Sequence, residues 1–104
     1  MADIEVRTSG ATVSASESDR IVIRLPENPS TGYQWSVAEL GGPLEIVSNE
    51  YVMAGQIVPG AAGERVVVVR PRAPGSARLR LQLKRSWERD SVDRFDVGVD
   101  VAGA

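Results

Sequence analysis

The chain has 104 residues with 12 basic and 14 acidic side chains, a formal net charge of −2, and neither cysteine nor histidine. Disulfides, thiolate or imidazole nucleophiles, and the usual nitrogen and sulfur ligands for zinc, copper or haem are thereby excluded. All basic residues except Lys84 are arginines scattered along the chain, so no basic stripe points to nucleic acid, and no apolar run is long enough to cross a bilayer.

Taken in chain order, the apolar residues recur with period two. Ile4 and Val6 open a first strand, and Thr12–Ser14 form a short second one. Ile21, Ile23 and Leu25 alternate around Val22 and Arg24, and Trp35 and Val37 face one way in Gln34–Val37. Leu44–Val47 reads as a short edge, followed by Tyr51–Met53 as a separate strand. Val66–Val69 is β-branched throughout and reads as a central strand. Leu79, Leu81 and Leu83 alternate with polar residues, as do Phe95, Val97, Val99 and Val101. Such alternation marks strands with one face on a core and one in water. Each buried aliphatic side chain contributes about 1.5–3 kcal/mol, which fixes the register firmly.

Turn signals separate the strands at Ser9-Gly10, Glu27-Asn28-Pro29, Gly41-Gly42-Pro43, Pro59-Gly60 and Pro74-Gly75. The pattern predicts an all-β fold. It is an immunoglobulin-like β-sandwich of about seven to eight antiparallel strands, without a disulfide, as a single domain over 1–104. The start, Met1 to Glu5, lacks the basic and apolar regions of a signal peptide. The chain as written is therefore expected in the cytoplasm, and a trimmed leader would place it in the periplasm or outside the cell.

Three connections carry residues that strand physics does not require. The first is Asn28-Pro29-Ser30-Thr31-Gly32-Tyr33, where proline fixes one φ and glycine permits a positive one. Asn28 and the two hydroxyls can bond the local backbone, so the loop is shaped before a partner arrives. On loop chemistry alone an ordinary surface turn is the simpler explanation. Pro29 in the middle position rules out Asn28 as a glycosylation acceptor.

The second is Pro59-Gly60-Ala61-Ala62-Gly63, whose small residues permit close approach but also suit a plain hairpin tip. The third is Arg85-Ser86-Trp87-Glu88. Arg85 continues the core phase of residues 79, 81 and 83, so the strand must leave the core there. An exposed tryptophan beside arginine is a pairing enriched at binding hot spots. A tryptophan folded back over the sandwich, or under a local cation–π contact, is the structural alternative. Naming the strands B to G makes these the B–C, D–E and F–G loops, which emerge at one end of a sandwich. A hydroxyl–carboxylate enzyme, for example through Ser30 and Glu27, lacks a base of suitable pKa.

These residues resemble the chagasin family of cysteine-peptidase inhibitors over roughly Leu25 to Val101. The family carries Asn-Pro-Thr-Thr-Gly-Tyr/Phe, Gly-x-Gly-Gly and Arg-Pro-Trp in the same three loops. Here Asn28–Tyr33 differs only at Ser30, Gly60–Gly63 has Ala62 at the third position, and Arg85-Ser86-Trp87 has serine in place of proline. The resemblance implies a reversible inhibitor of papain-family cysteine peptidases, monomeric when free. It needs no cofactor or metal, contributes no catalytic residue, and meets neither nucleic acid nor membrane. Residues Asn28, Pro29, Ser30, Thr31, Gly32 and Tyr33 would lie across the catalytic centre. Gly60, Ala61, Ala62 and Gly63 would run along one wall of the cleft, and Arg85, Ser86 and Trp87 along the other. Ser86 lacks the φ restraint of proline, worth about 0.4–1 kcal/mol, and Ala62 bars conformations open to glycine. Both departures predict weaker binding than a full-motif member. The alternative function is an immunoglobulin-like adhesion module using the same end for a non-peptidase partner.

Overall fold

The computed structural model describes residues 3–53 and 63–103. Eight strands run in chain order: β1 Asp3–Val6, β2 Ala11–Ala15, β3 Arg20–Glu27, β4 Gln34–Gly41, β5 Leu44–Val52, β6 Gly63–Pro71, β7 Gly75–Lys84 and β8 Asp93–Val101. They form two four-stranded sheets, ordered β1-β3-β6-β5 and β2-β8-β7-β4. Alternate residues of the inner strands face each other between the sheets. Ile21 and Ile23 of β3, Val67 and Val69 of β6, Leu79 and Leu81 of β7, and Val97 and Val99 of β8 are fully buried there. The alternation read from the sequence is thus the inner surface of a sandwich.

Two features depart from the sequence expectation. The strands are not all antiparallel: β1 runs parallel to β3, and β2 parallel to β8. The chain reverses once between Val6 and Ala11, crossing from the edge of the first sheet to that of the second. It reverses again between Ala15 and Arg20 on its return, so β1 and β3 share a direction.

Leu44–Val47 and Tyr51–Met53 are also not separate strands. Leu44–Val47 and Tyr51–Val52 both belong to β5, an edge strand whose register shifts between Ile46 and Ser48, and Met53 lies just beyond its end. The bulge changes the phase of the side chains, which hides the continuity from a period-two reading. A second bulge lies between Val37 and Glu39 of β4.

The ladders fix which loops share an end. Glu27 pairs with Gly63 and Val52 with Glu64 in one sheet, while Gln34 pairs with Lys84 and Leu83 with Asp93 in the other. The termini facing the three candidate loops therefore lie at one pole. The amide of Trp35, in the second sheet, bonds the side chain of Glu27, in the first.

Candidate functional site

The B–C loop is a bonded unit. Pro29–Thr31 forms a single 3-10 turn between β3 and β4. Asn28 Oδ1 accepts the Ser30 amide at 3.0 Å and the Ser30 hydroxyl at 2.7 Å. The Asn28 carbonyl accepts the Thr31 amide at 3.2 Å and the Thr31 hydroxyl at 2.8 Å. Thr31 Oγ1 in turn accepts the Tyr33 amide at 3.2 Å. These are the local bonds for which Asn, Ser and Thr are favoured in turns. Ser30, where the family motif has threonine, keeps the hydroxyl this geometry uses. Gly32 has φ +80°, a conformation that a side chain would strain. Ser30, Thr31 and Gly32 are exposed at the apex.

The F–G loop leans on this apex. Arg85 Nε donates to the Thr31 carbonyl at 3.1 Å, and the guanidinium lies over the Tyr33 ring at 4.3 Å from its centroid. The same guanidinium is 5.8 Å from the Trp87 ring centroid. Trp87 itself is 74% exposed, so the folded-back alternative does not hold. Ser86 and Trp87 are the central residues of a turn closed by the Glu88 amide on the Arg85 carbonyl, at 3.0 Å. Ser86 thus occupies the second turn position, where proline is ordinarily favoured. The Val92 amide closes the loop onto the Leu83 carbonyl at 2.8 Å.

The third candidate loop is only partly described. Gly60, Ala61 and Ala62 lie outside the described residues. Gly63 is not at an exposed tip: it is the buried first residue of β6, paired with Glu27. A Cβ there would strike the Val52 carbonyl oxygen and the Tyr51 ring and hydroxyl. Its glycine is therefore required by the close approach of β5.

The structure also gives Glu27 a different role and brings forward residues that the sequence did not single out for the site. Beneath the B–C loop, Arg65 pairs with Glu27 at 2.7 Å, and both side chains are buried. Val52 and Met53, at the end of β5, and Val92, before β8, are large exposed apolar residues at the same pole as Trp87. Among the described residues, no group of three or more histidine, cysteine, aspartate or glutamate side chains is placed to hold a metal.

Comparison with known proteins identifies the family of this chain. A model of the chagasin family peptidase inhibitors I42 matches residues 14–99. Chagasin of Trypanosoma cruzi is 32% identical over 98 residues, spanning 86% of this chain and 87% of chagasin. The crystal structure of the cysteine protease inhibitor EhICP2 from Entamoeba histolytica is similar, with a TM-score of 0.86 at 23% identity, covering 97% of this chain and 96% of that one. PbICP-C, solved in complex with falcipain-2, has a TM-score of 0.66 at 14% identity and covers 98% and 100% of the two chains. At those identities the two structures speak for the fold, whereas the family model spans the B–C and F–G loops. The chain belongs to the chagasin family of peptidase inhibitors.

Proposed function

We propose that this protein inhibits papain-like cysteine peptidases reversibly, by seating the B–C apex over the catalytic centre with Arg85 and Trp87 against one wall of the cleft. The observation that carries the reading is the bridge from Arg85 to Thr31 and Tyr33, which joins two loops into one edge before any partner is met. Such preorganisation reduces the entropy lost on docking. Trp87, exposed in the free protein, is the anchor.

The protein acts as a stoichiometric block and not as an enzyme. The apex backbone is a 3-10 turn closed on Asn28, so it does not present an extended scissile segment in attack geometry. A wedge of this kind buries on the order of 1,600 Å² in total.

The test is titration of papain and a cathepsin L-like enzyme with the purified protein, followed by mass analysis of the inhibitor. Full recovery of activity on dilution and an uncut 28–33 segment are expected. Trp87→Ala should weaken inhibition by about 2–4 kcal/mol, the range of an aromatic hot spot. Stoichiometric protein that leaves both enzymes fully active would overturn the reading.

A further inference from the structure

The carboxylate of Glu27 closes the B–C loop at its base. Oε1 accepts the Trp35 amide at 2.7 Å, so the last residue of β3 holds the second residue of β4 across the whole loop. The Trp35 indole Nε1–H donates to the Pro26 carbonyl at 3.0 Å and doubles the tie. Arg65 meets the same carboxylate at two points, Nη2 to Oε2 at 2.7 Å and Nε to Oε1 at 3.2 Å. Its Nη1 goes on to Asn49 Oδ1 at 3.3 Å. Arg65 stands just beyond Gly63 on β6, and Asn49 lies on β5. The base of the B–C loop and the two strands that carry the D–E loop therefore converge on one carboxylate.

Stability alone is a poor account of this cluster. The Glu27 and Arg65 side chains are only 3% and 10% exposed, and a buried ion pair is often matched or bettered by apolar residues of the same volume. A cleft of about 370 Å³ lined by Glu27, Gly32, Tyr33, Gln34, Tyr51 and Arg65 lies under the tip. Close packing does not aim the tip on that side; directional bonds do. Arg85 holds the apex, and Glu27 holds the base.

We infer that Glu27 and Arg65 are positioning residues for inhibition, setting the angle at which the stiff B–C tip meets the peptidase relative to the root of the D–E loop. The inference rests on the cleft-blocking function proposed above. It follows the general need of a binding tip for a supporting shell that locks its orientation.

The test replaces the pair with neutral groups of similar shape, Glu27→Gln together with Arg65→Met. A glutamine oxygen can still accept the Trp35 amide, and methionine fills the volume of the arginine stem. Tm and Ki against papain are measured beside the unsubstituted protein. The expected result is a Tm within about 5 °C and a Ki raised about tenfold or more.

An unchanged Ki in the folded double variant overturns the inference. Should the double variant unfold, Arg65→Lys decides, because it keeps the charge and loses the two-point fork. A several-fold weaker, folded Arg65→Lys supports positioning, and one that inhibits fully overturns it. Failure of the unsubstituted protein to inhibit papain would instead refute the function on which the inference rests.

Discussion

Replacing Arg85 with alanine removes both links between the F–G and B–C loops while leaving the core untouched. The hydrogen bond from Nε to the Thr31 carbonyl, 3.1 Å long, is worth about 1 kcal/mol net. The guanidinium over Tyr33, 4.3 Å from the ring centroid, adds about 0.5–1 kcal/mol at a half-exposed site. Together these make about 1.5–2 kcal/mol, or about a 10–30-fold rise in Ki. In the free protein the released loops can relax into other arrangements, so Tm should fall by only a few degrees. Docking must order them again in full.

Steady-state inhibition of papain with a fluorogenic peptide measures Ki, and calorimetry measures Tm. Arg85 can also touch the peptidase directly, so the intramolecular share needs a double-mutant cycle with Tyr33→Leu. A coupling of about 0.5–1 kcal/mol is expected. Strictly additive losses, or an Arg85→Ala protein as potent as the parent, would refute the idea that one loop presets the other.

Three further outcomes follow from the geometry. Ser86 is the second residue of its turn, and no non-glycine among the described residues has positive φ. Ser86→Pro should therefore lower Ki by about two- to fivefold without loss of Tm, measured by the same assay. Gly63→Ala would push a methyl against the Val52 carbonyl, which cannot rotate away; a loss of about 1–3 kcal/mol, or a Tm lower by about 10 °C, should appear in calorimetry. Stability and affinity should be flat between about pH 6 and 8 as far as this chain's side chains decide, because it has no histidine or cysteine. Asp96 raises the pKa of Arg80, and Glu5 and Glu64 raise that of Arg7, each from a strongly basic value. A raised cation stabilises at every pH below its unfolded pKa and loses that contribution only in strong alkali, so neither arginine adds a step. A melting-temperature change of more than about 5 °C across that range would contradict this.

The inner strands were legible because burial imposes period two. Ile21–Leu25, Leu79–Leu83 and Phe95–Val101 each show it and each face the core. Edge strands were harder. The bulge in β5 breaks the phase, and no residue of this edge strand after Leu44 is fully buried, which leaves Ser48, Asn49 and Glu50 free to be polar. The parallel pairing of β1 and β2 depends on where the chain crosses between sheets, which no local pattern records.

For the loops, composition alone left plain turns open, and it was the resemblance of the three motifs in order that singled them out. The exposure of Trp87 excludes the folded-back arrangement, while the Arg85 guanidinium does lie near its ring. The Glu27–Arg65 pair did leave a trace. Glu27 continues the inward phase of 21, 23 and 25, and Arg65 that of 67 and 69, so opposite charges stand at core positions on two strands. That these strands are neighbours, and that the charges meet, is information held by the ladder alone.

The direction of the ladders has a practical reach. Asp3 pairs with Arg20 at the start of β3, Val101 pairs with Gly75 at the start of β7, and the Ala102 amide bonds the Ala15 carbonyl. Residues near both ends of the described polypeptide thus sit at the pole farthest from Thr31 and Trp87. A tag, a fluorophore or a biosensor tether attached at that pole would point the edge carrying Thr31 and Trp87 outward, away from its support.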